Sequence, residues 1–159
     1  MTDSNPATAA TSAPPAAIPT VPTKLGPAVA AALGASLVGA VLWAVITVET
    51  KYQIGFMAIG VGFLVGWAVH KTGRSGAPVL GYIGAAFALF GCLLGNLLTI
   101  AGMVSADTST PLTPVVAGLL LHPDAAASAM GETFDAMDLV FYAIAVYEGY
   151  KIGRRPSAA

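Results

Sequence analysis

Apolar positions in this chain come in long unbroken runs, not in the alternating patterns of a half-buried strand or a water-facing helix. The run over 26–48, GPAVAAALGASLVGAVLWAVITV, holds no charge, and neither does YQIGFMAIGVGFLVGWAV over 52–69. A third run, 78–104, is the longest, with Asn96 and Thr99 as its notable polar groups. At a helical rise of ~1.5 Å per residue the first extends about 35 Å, enough to cross a ~30 Å hydrocarbon core with some tilt. Only Glu49, Thr50 and Lys51 separate the first two runs, so they form an antiparallel hairpin. The fourth run, 137–152 (MDLVFYAIAVYEGYKI), is shorter and contains Asp138, Glu148 and Lys151. Charges near helix ends can reach the interface, leaving an apolar centre over 139–147 that crosses. The alternative is an amphipathic helix lying on the surface. Its charges form no broad polar face, and Tyr147 and Tyr150 fall where an interfacial aromatic belt sits, which favours crossing.

The segments between these runs fix the expected organisation. Residues 1–23 are rich in Ala, Pro, Thr and Ser. Repeated prolines and missing apolar periodicity predict a disordered tail, and no basic n-region or early apolar stretch suggests a secretory signal. The transmembrane domain is expected over 24–155. The link between the second and third helices carries His70, Lys71 and Arg74, and the C-terminus carries Lys151, Arg154 and Arg155. The connection 105–135 has Asp107, Asp124, Glu132 and Asp135 and no Lys or Arg. With Lys24 before the first helix, the positive-inside rule predicts four crossings with both termini cytoplasmic and the acidic loop outside. A three-helix arrangement leaves the C-terminal basic cluster on the wrong side. The outer loop holds Pro111, Pro114 and Pro123 around an apolar patch over 115–121, too short to cross and expected to pack on helix ends or dip into the interface.

Composition points the same way. Hydrophobic residues make up 56% of the 159, charged residues 9%, and mean hydropathy is +0.77. Soluble domains carry about 25% charged residues. The expected fold class is therefore all-α, an integral membrane four-helix bundle with a disordered N-terminal tail, with the lipid bilayer as its principal partner. A net charge of −1 leaves no basic field for nucleic acid. The one cysteine, Cys92, excludes an internal disulfide, a CxxC motif and a paired-cysteine zinc site. His70 and His122 sit in different connections and make no metal-ligand spacing. The GxG at Gly60 and Gly62 lies mid-helix without the strand and turn of a phosphate cradle. No catalytic, cofactor or metal set is expected.

Glycine spacing is the most informative local signal. Gly62 and Gly66, Gly91 and Gly95, Ala35 and Gly39, and Ala145 and Gly149 are each four residues apart, one small-xxx-small strip per expected helix. Such a strip lets another backbone approach closely, a main source of helix association in lipid. It serves either packing inside the bundle or a homo-oligomer interface.

Lys51, Asn96, Asp138, Glu148 and Lys151 form a candidate intramembrane polar network. An ionised carboxylate within the bilayer needs a partner, water or a raised pKa. Asp138 shares a helix face with Tyr142, Ala145 and Gly149, so it should point into the bundle near the outer surface. There it either pairs with Lys51, accepts from Asn96, or serves as a helix-start carboxylate favoured by the dipole. Glu148 lies near the inner surface with Lys151 three residues on, a spacing that suits a structural pair or, alternatively, a proton or cation site. The two carboxylates are about 15 Å apart along a helix, too far to act as one acid/base couple.

The segment GASLVGAVLWAVITVETKYQIGFMAIGVGFLVGWAV and the ending DLVFYAIAVYEGYKI resemble a group of small bacterial multi-pass membrane proteins and domains of unknown function. In that group a Gly-rich hairpin precedes an AxGVGFLVG-like second helix, and the last helix opens on aspartate and closes in Gly-Tyr-Lys. The resemblance covers all but the tail and part of the outer loop. It implies the fold and a bacterial cytoplasmic membrane, and carries no activity. Two functions therefore compete. One is a non-enzymatic protein associating with itself or another membrane protein through Gly-rich helix faces. The other is a small transporter or channel subunit using Asp138 or Glu148, although such a role needs more polar groups across the midplane than this chain offers.

Overall fold

A computed structural model describes residues 22–52 and 55–156. The tail expected over 1–23 lies outside the described residues except for Pro22 and Thr23. Six helices follow in order: α1 (Leu25–Thr50), α2 (Phe56–Gly73), α3 (Pro78–Thr108), α4 (Leu112–Leu121), α5 (Pro123–Thr133) and α6 (Ala136–Gly153). The fold is an all-α bundle of α1, α2, α3 and α6. Three of these, α1, α2 and α3, are long and apolar enough to cross a membrane. Helix α6 matches α2 in length at 18 residues but carries Asp138, Glu148 and Lys151.

Helices α2 and α3 form the central pair, with α1 packed on one flank and α6 on the other. Side chains of the two flanking helices meet where Trp43 stands edge-on to Tyr142 at 6.3 Å. The inward residues are small. Along α1 the buried face is Ala28, Ala32, Ser36, Gly39, Ala40, Trp43, Ala44 and Thr47. The outward face of the same helix is Leu and Val, with Val38, Val41, Leu42 and Val45 all more than half exposed. A water-soluble bundle places its large aliphatic side chains inside. Here the order is inverted, because lipid solvates Leu and Val as well as a protein interior does, and close backbone approach holds the helices together.

Local chemistry sets the helix ends. Lys51 adopts the left-handed conformation (φ 58°) and returns its N–H to the Thr47 carbonyl at 2.9 Å, ending α1. Pro78 opens α3, and Ser109 ends it at φ 55°. Two expected boundaries shift. Helix α2 covers 56–73, not 52–69: Tyr52 lies outside it, and no breaker precedes Gly73; the Thr72 hydroxyl donates to Ala68 O at 2.8 Å within the added turn. Helix α3 runs one turn past 104, where Thr108 donates to Val104 O at 2.7 Å.

The outer connection is more ordered than a loop. Its apolar patch forms α4, which packs with α5 against α3. None of α4 is buried, and Leu120 and Leu121 are 64% and 76% exposed.

Candidate functional site

Glycines build the seat of α6. A Cβ at Gly62 would strike the Ala145 backbone, one at Gly66 would lie 3.2 Å from Gly149 Cα, and one at Gly153 would lie 2.8 Å from Leu80 O. Gly81 makes room for the Tyr150 ring, and Gly84 faces Gly149 backbone to backbone. Helix α6 is thus held along its length, from Phe141 against Phe56 at one end to Gly153 against Leu80 at the other. On the α1 side, Gly39 meets Val61, Gly91 meets Val61 and Ser36, and Gly95 meets the Trp43 ring. Ala35 is half-buried against the same core. The four small-residue strips singled out in the sequence therefore all lie against other helices of the same chain. Gly81, Gly84 and Gly153 belong to the same seat, and each also has a small residue four positions away (Ala85, Ala88 and Gly149), so the spacing signal extends beyond the four strips singled out.

One small-residue strip faces outward. Gly26, Ala30 and Gly34 are exposed on α1, and a Cβ at either glycine would meet nothing within 4 Å. The expectation of Ala35 and Gly39 as the α1 strip hid this second one, displaced by one residue around the helix.

At the acidic end, Asp138 is 92% buried and its Oδ2 accepts from the Asp135 N–H at 3.0 Å. Asp135 caps the helix in turn, accepting from Ala136 N. This reciprocal capping box satisfies donors that a helix start leaves open. Of the three expectations for Asp138, the structure shows the helix-start carboxylate: the backbone donor three residues upstream holds it, and no hydrogen bond to Lys51 or Asn96 is formed among the described residues. The expected pairing of Glu148 with Lys151 is not formed among the described residues. Lys151 Nζ lies over the Tyr147 ring at 5.3 Å, and Glu148 is half-buried one turn earlier.

Asn96 sits deep in the bundle at 2% exposure, and its Nδ2 has no hydrogen-bond partner among the described residues. Trp43 Nε1 and Thr47 Oγ1, one turn apart on α1, are also without partners. Neighbouring polar groups are satisfied by backbone: Tyr142 Oη donates to Cys92 O at 3.2 Å, Thr99 to Gly95 O at 2.9 Å, and Ser36 to Ala32 O and Phe87 O at 2.7 and 2.8 Å. The candidate network thus divides. Asn96 belongs to a buried layer with Trp43 and Thr47, Asp138 belongs to a helix cap, and Glu148 and Lys151 lie toward the opposite end of the bundle.

That opposite end gathers the cations. Lys24 N donates to Gly73 O at 3.3 Å, Thr23 and Ser75 hydroxyls are 2.6 Å apart, Ser75 bridges to Pro156, and His70 Nδ1 lies 2.9 Å from Arg155 O. The start of α1, the α2–α3 link and the C-terminal segment therefore meet. Lys24, Lys71, Arg74, Lys151, Arg154 and Arg155, six of the chain's seven Lys and Arg, lie there. Glu49, Asp107, Asp124, Glu132, Asp135 and Asp138 lie toward the other end. Among the described residues no group of three or more His, Cys, Asp or Glu is placed to hold a metal ion. No family model, no curated protein and no solved structure matches the chain.

Proposed function

We propose that this chain is a non-enzymatic multi-pass membrane protein that crosses the bilayer four times, with both termini cytoplasmic, and associates with itself or a membrane partner. The observation that carries the topology is the separation of charge along the bundle: six of seven cations at the end shared by both termini, and the carboxylates of the outer connection at the other. Translocation strands Lys and Arg on the cytoplasmic side, so this end is the inner one. The fourth crossing is supported by the glycine seat, since α6 packs along α2 from Phe56 to Val69 and along α3 from Leu80 to Cys92, and so spans with them. The membrane we propose is a bacterial cytoplasmic one, a reading supported by the resemblance of 34–69 and 138–152 to small bacterial multi-pass proteins.

Association is assigned to the outward strip Gly26, Ala30 and Gly34, the small-residue surface that the bundle does not use itself. Reporter fusions after Arg155 and at Asp124 should report opposite compartments; the same compartment for both overturns the topology. Gly34→Leu should lower the oligomer size in mild detergent, and an unchanged size removes the association.

A further inference from the structure

The cationic end has a built pocket that the bundle's own packing does not fill. It offers about 540 Å³, open to the surface, and is lined by Tyr147, Tyr150, Lys151, Arg154, Arg155 and Pro156. Its walls are fixed. Tyr150 stands edge-on to Tyr82 at 5.3 Å and lies over Gly81, where a Cβ would come within 2.8 Å of the ring. Arg154 spans the Tyr150 ring at 5.3 Å and donates from Nη1 to its Oη at 3.1 Å. Gly76, at φ 68°, lets the α2–α3 link pass against Pro156, and His70 holds the Arg155 carbonyl. Lys151 and Arg154 rest on aromatic faces rather than carboxylates, and Glu148 is not on the pocket wall. The negative end of the α6 dipole accounts for a cation in its last turn, such as Lys151, but Arg154 and Arg155 follow the helix.

We propose that this pocket binds the phosphate of an anionic phospholipid headgroup. Guanidinium forks match phosphate oxygens, and basic clusters at the cytoplasmic end of membrane helices favour anionic lipid. The lipid source, as against free phosphate, is favoured by the rings beside the pocket. Tyr82 and Tyr147 are 65% and 58% exposed on the same surface as Leu139 and Val140 of α6, the layering of an aromatic belt above hydrocarbon. The proposal rests on the crossing of α6 described above.

The test uses the full chain purified in detergent and in nanodiscs of phosphatidylcholine with or without phosphatidylglycerol. Native mass spectrometry should show phosphatidylglycerol retained in preference to phosphatidylcholine. Each of Lys151→Gln, Arg154→Gln and Arg155→Gln should weaken that retention roughly fivefold. Lys51→Gln, at the other end, should leave it unchanged. Equal retention of the two lipids by the wild type overturns the proposal, as does a preference that survives all three substitutions. Inorganic phosphate that displaces the retained lipid at equal concentration overturns the lipid source. Binding of an RNA oligonucleotide that competes with the lipid overturns the ligand class. Should a variant fail to fold, Arg154→Lys keeps the charge without the fork and must still weaken retention. A fusion after Arg155 that reports outside overturns the topology while leaving lipid preference measurable, so the two failures are distinguishable.

Discussion

Gly84 of α3 and Gly149 of α6 meet so closely that a methyl group on Gly149 would stand 2.6 Å from the Gly84 carbonyl oxygen. Backbone cannot yield as a flexible side chain does, so this crossing admits no side chain on either helix. Gly149→Ala should therefore lower bundle stability by about 1–3 kcal/mol, the ordinary cost of overpacking. Gly60→Ala, on an exposed face with nothing within 4 Å, is the control and should leave stability unchanged or slightly raised. Thermal unfolding in detergent separates the two, and equal behaviour would mean that α6 is not seated as described.

The capping box at the start of α6 makes a different forecast for Asp138. Its carboxylate is committed to the Asp135 N–H. Asp138→Ala should cost about 0.5–2 kcal/mol of stability, while Asp138→Asn, which keeps an acceptor, should cost less. Proton flux into liposomes should be the same for wild type and Asp138→Asn. A loss of flux in the Asn variant would restore the transport reading.

Asn96 is a buried donor without a partner, so its removal should be tolerated. Asn96→Leu keeps the branching of the side chain, though with bulkier ends, and deletes an unsatisfied group whose burial costs about 1–3 kcal/mol. The expected outcome is a melting temperature equal to or above that of the wild type. A large loss would show that Asn96 holds a bound partner in the native membrane.

Ser36 is the counter-case. Its hydroxyl reaches across from α1 to the Phe87 carbonyl of α3 at 2.8 Å. Ser36→Ala should lower stability by about 0.6 kcal/mol, the typical worth of an interhelical hydrogen bond in a membrane protein. The double variant with Gly39→Leu should lose far more, because Leu at 39 collides with Val61.

Legibility in the sequence followed the range of each interaction. Helices α1, α2 and α3 were readable because sustained apolarity over the length of a span is a strong local signal. Boundaries of α2 and α3 slipped by a turn because Thr72 and Thr108 satisfy local carbonyls and extend helices past the last apolar residue. Pairing of Asp138 with Lys51 was a long-range inference, and it yielded to a donor three residues away. The seat of α6 was half readable. Gly62, Gly66, Ala145 and Gly149 announce themselves by spacing; Gly81, Gly84 and Gly153 share it with Ala85, Ala88 and Gly149, but the helices they touch are what single them out. The outward strip Gly26, Ala30 and Gly34 differs from the inward one by a single position around α1, a distinction that needs the neighbours in place.

Cys92 is wholly enclosed, with its sulfur 3.9 Å from the Ala58 carbonyl oxygen. A thiol reagent in water or in lipid has no path to it without loosening the fold. The native protein is therefore silent to maleimides, and single cysteines introduced at surface positions can be labelled one at a time against that background. Slow labelling of Cys92 itself then becomes a clock for transient opening of the bundle.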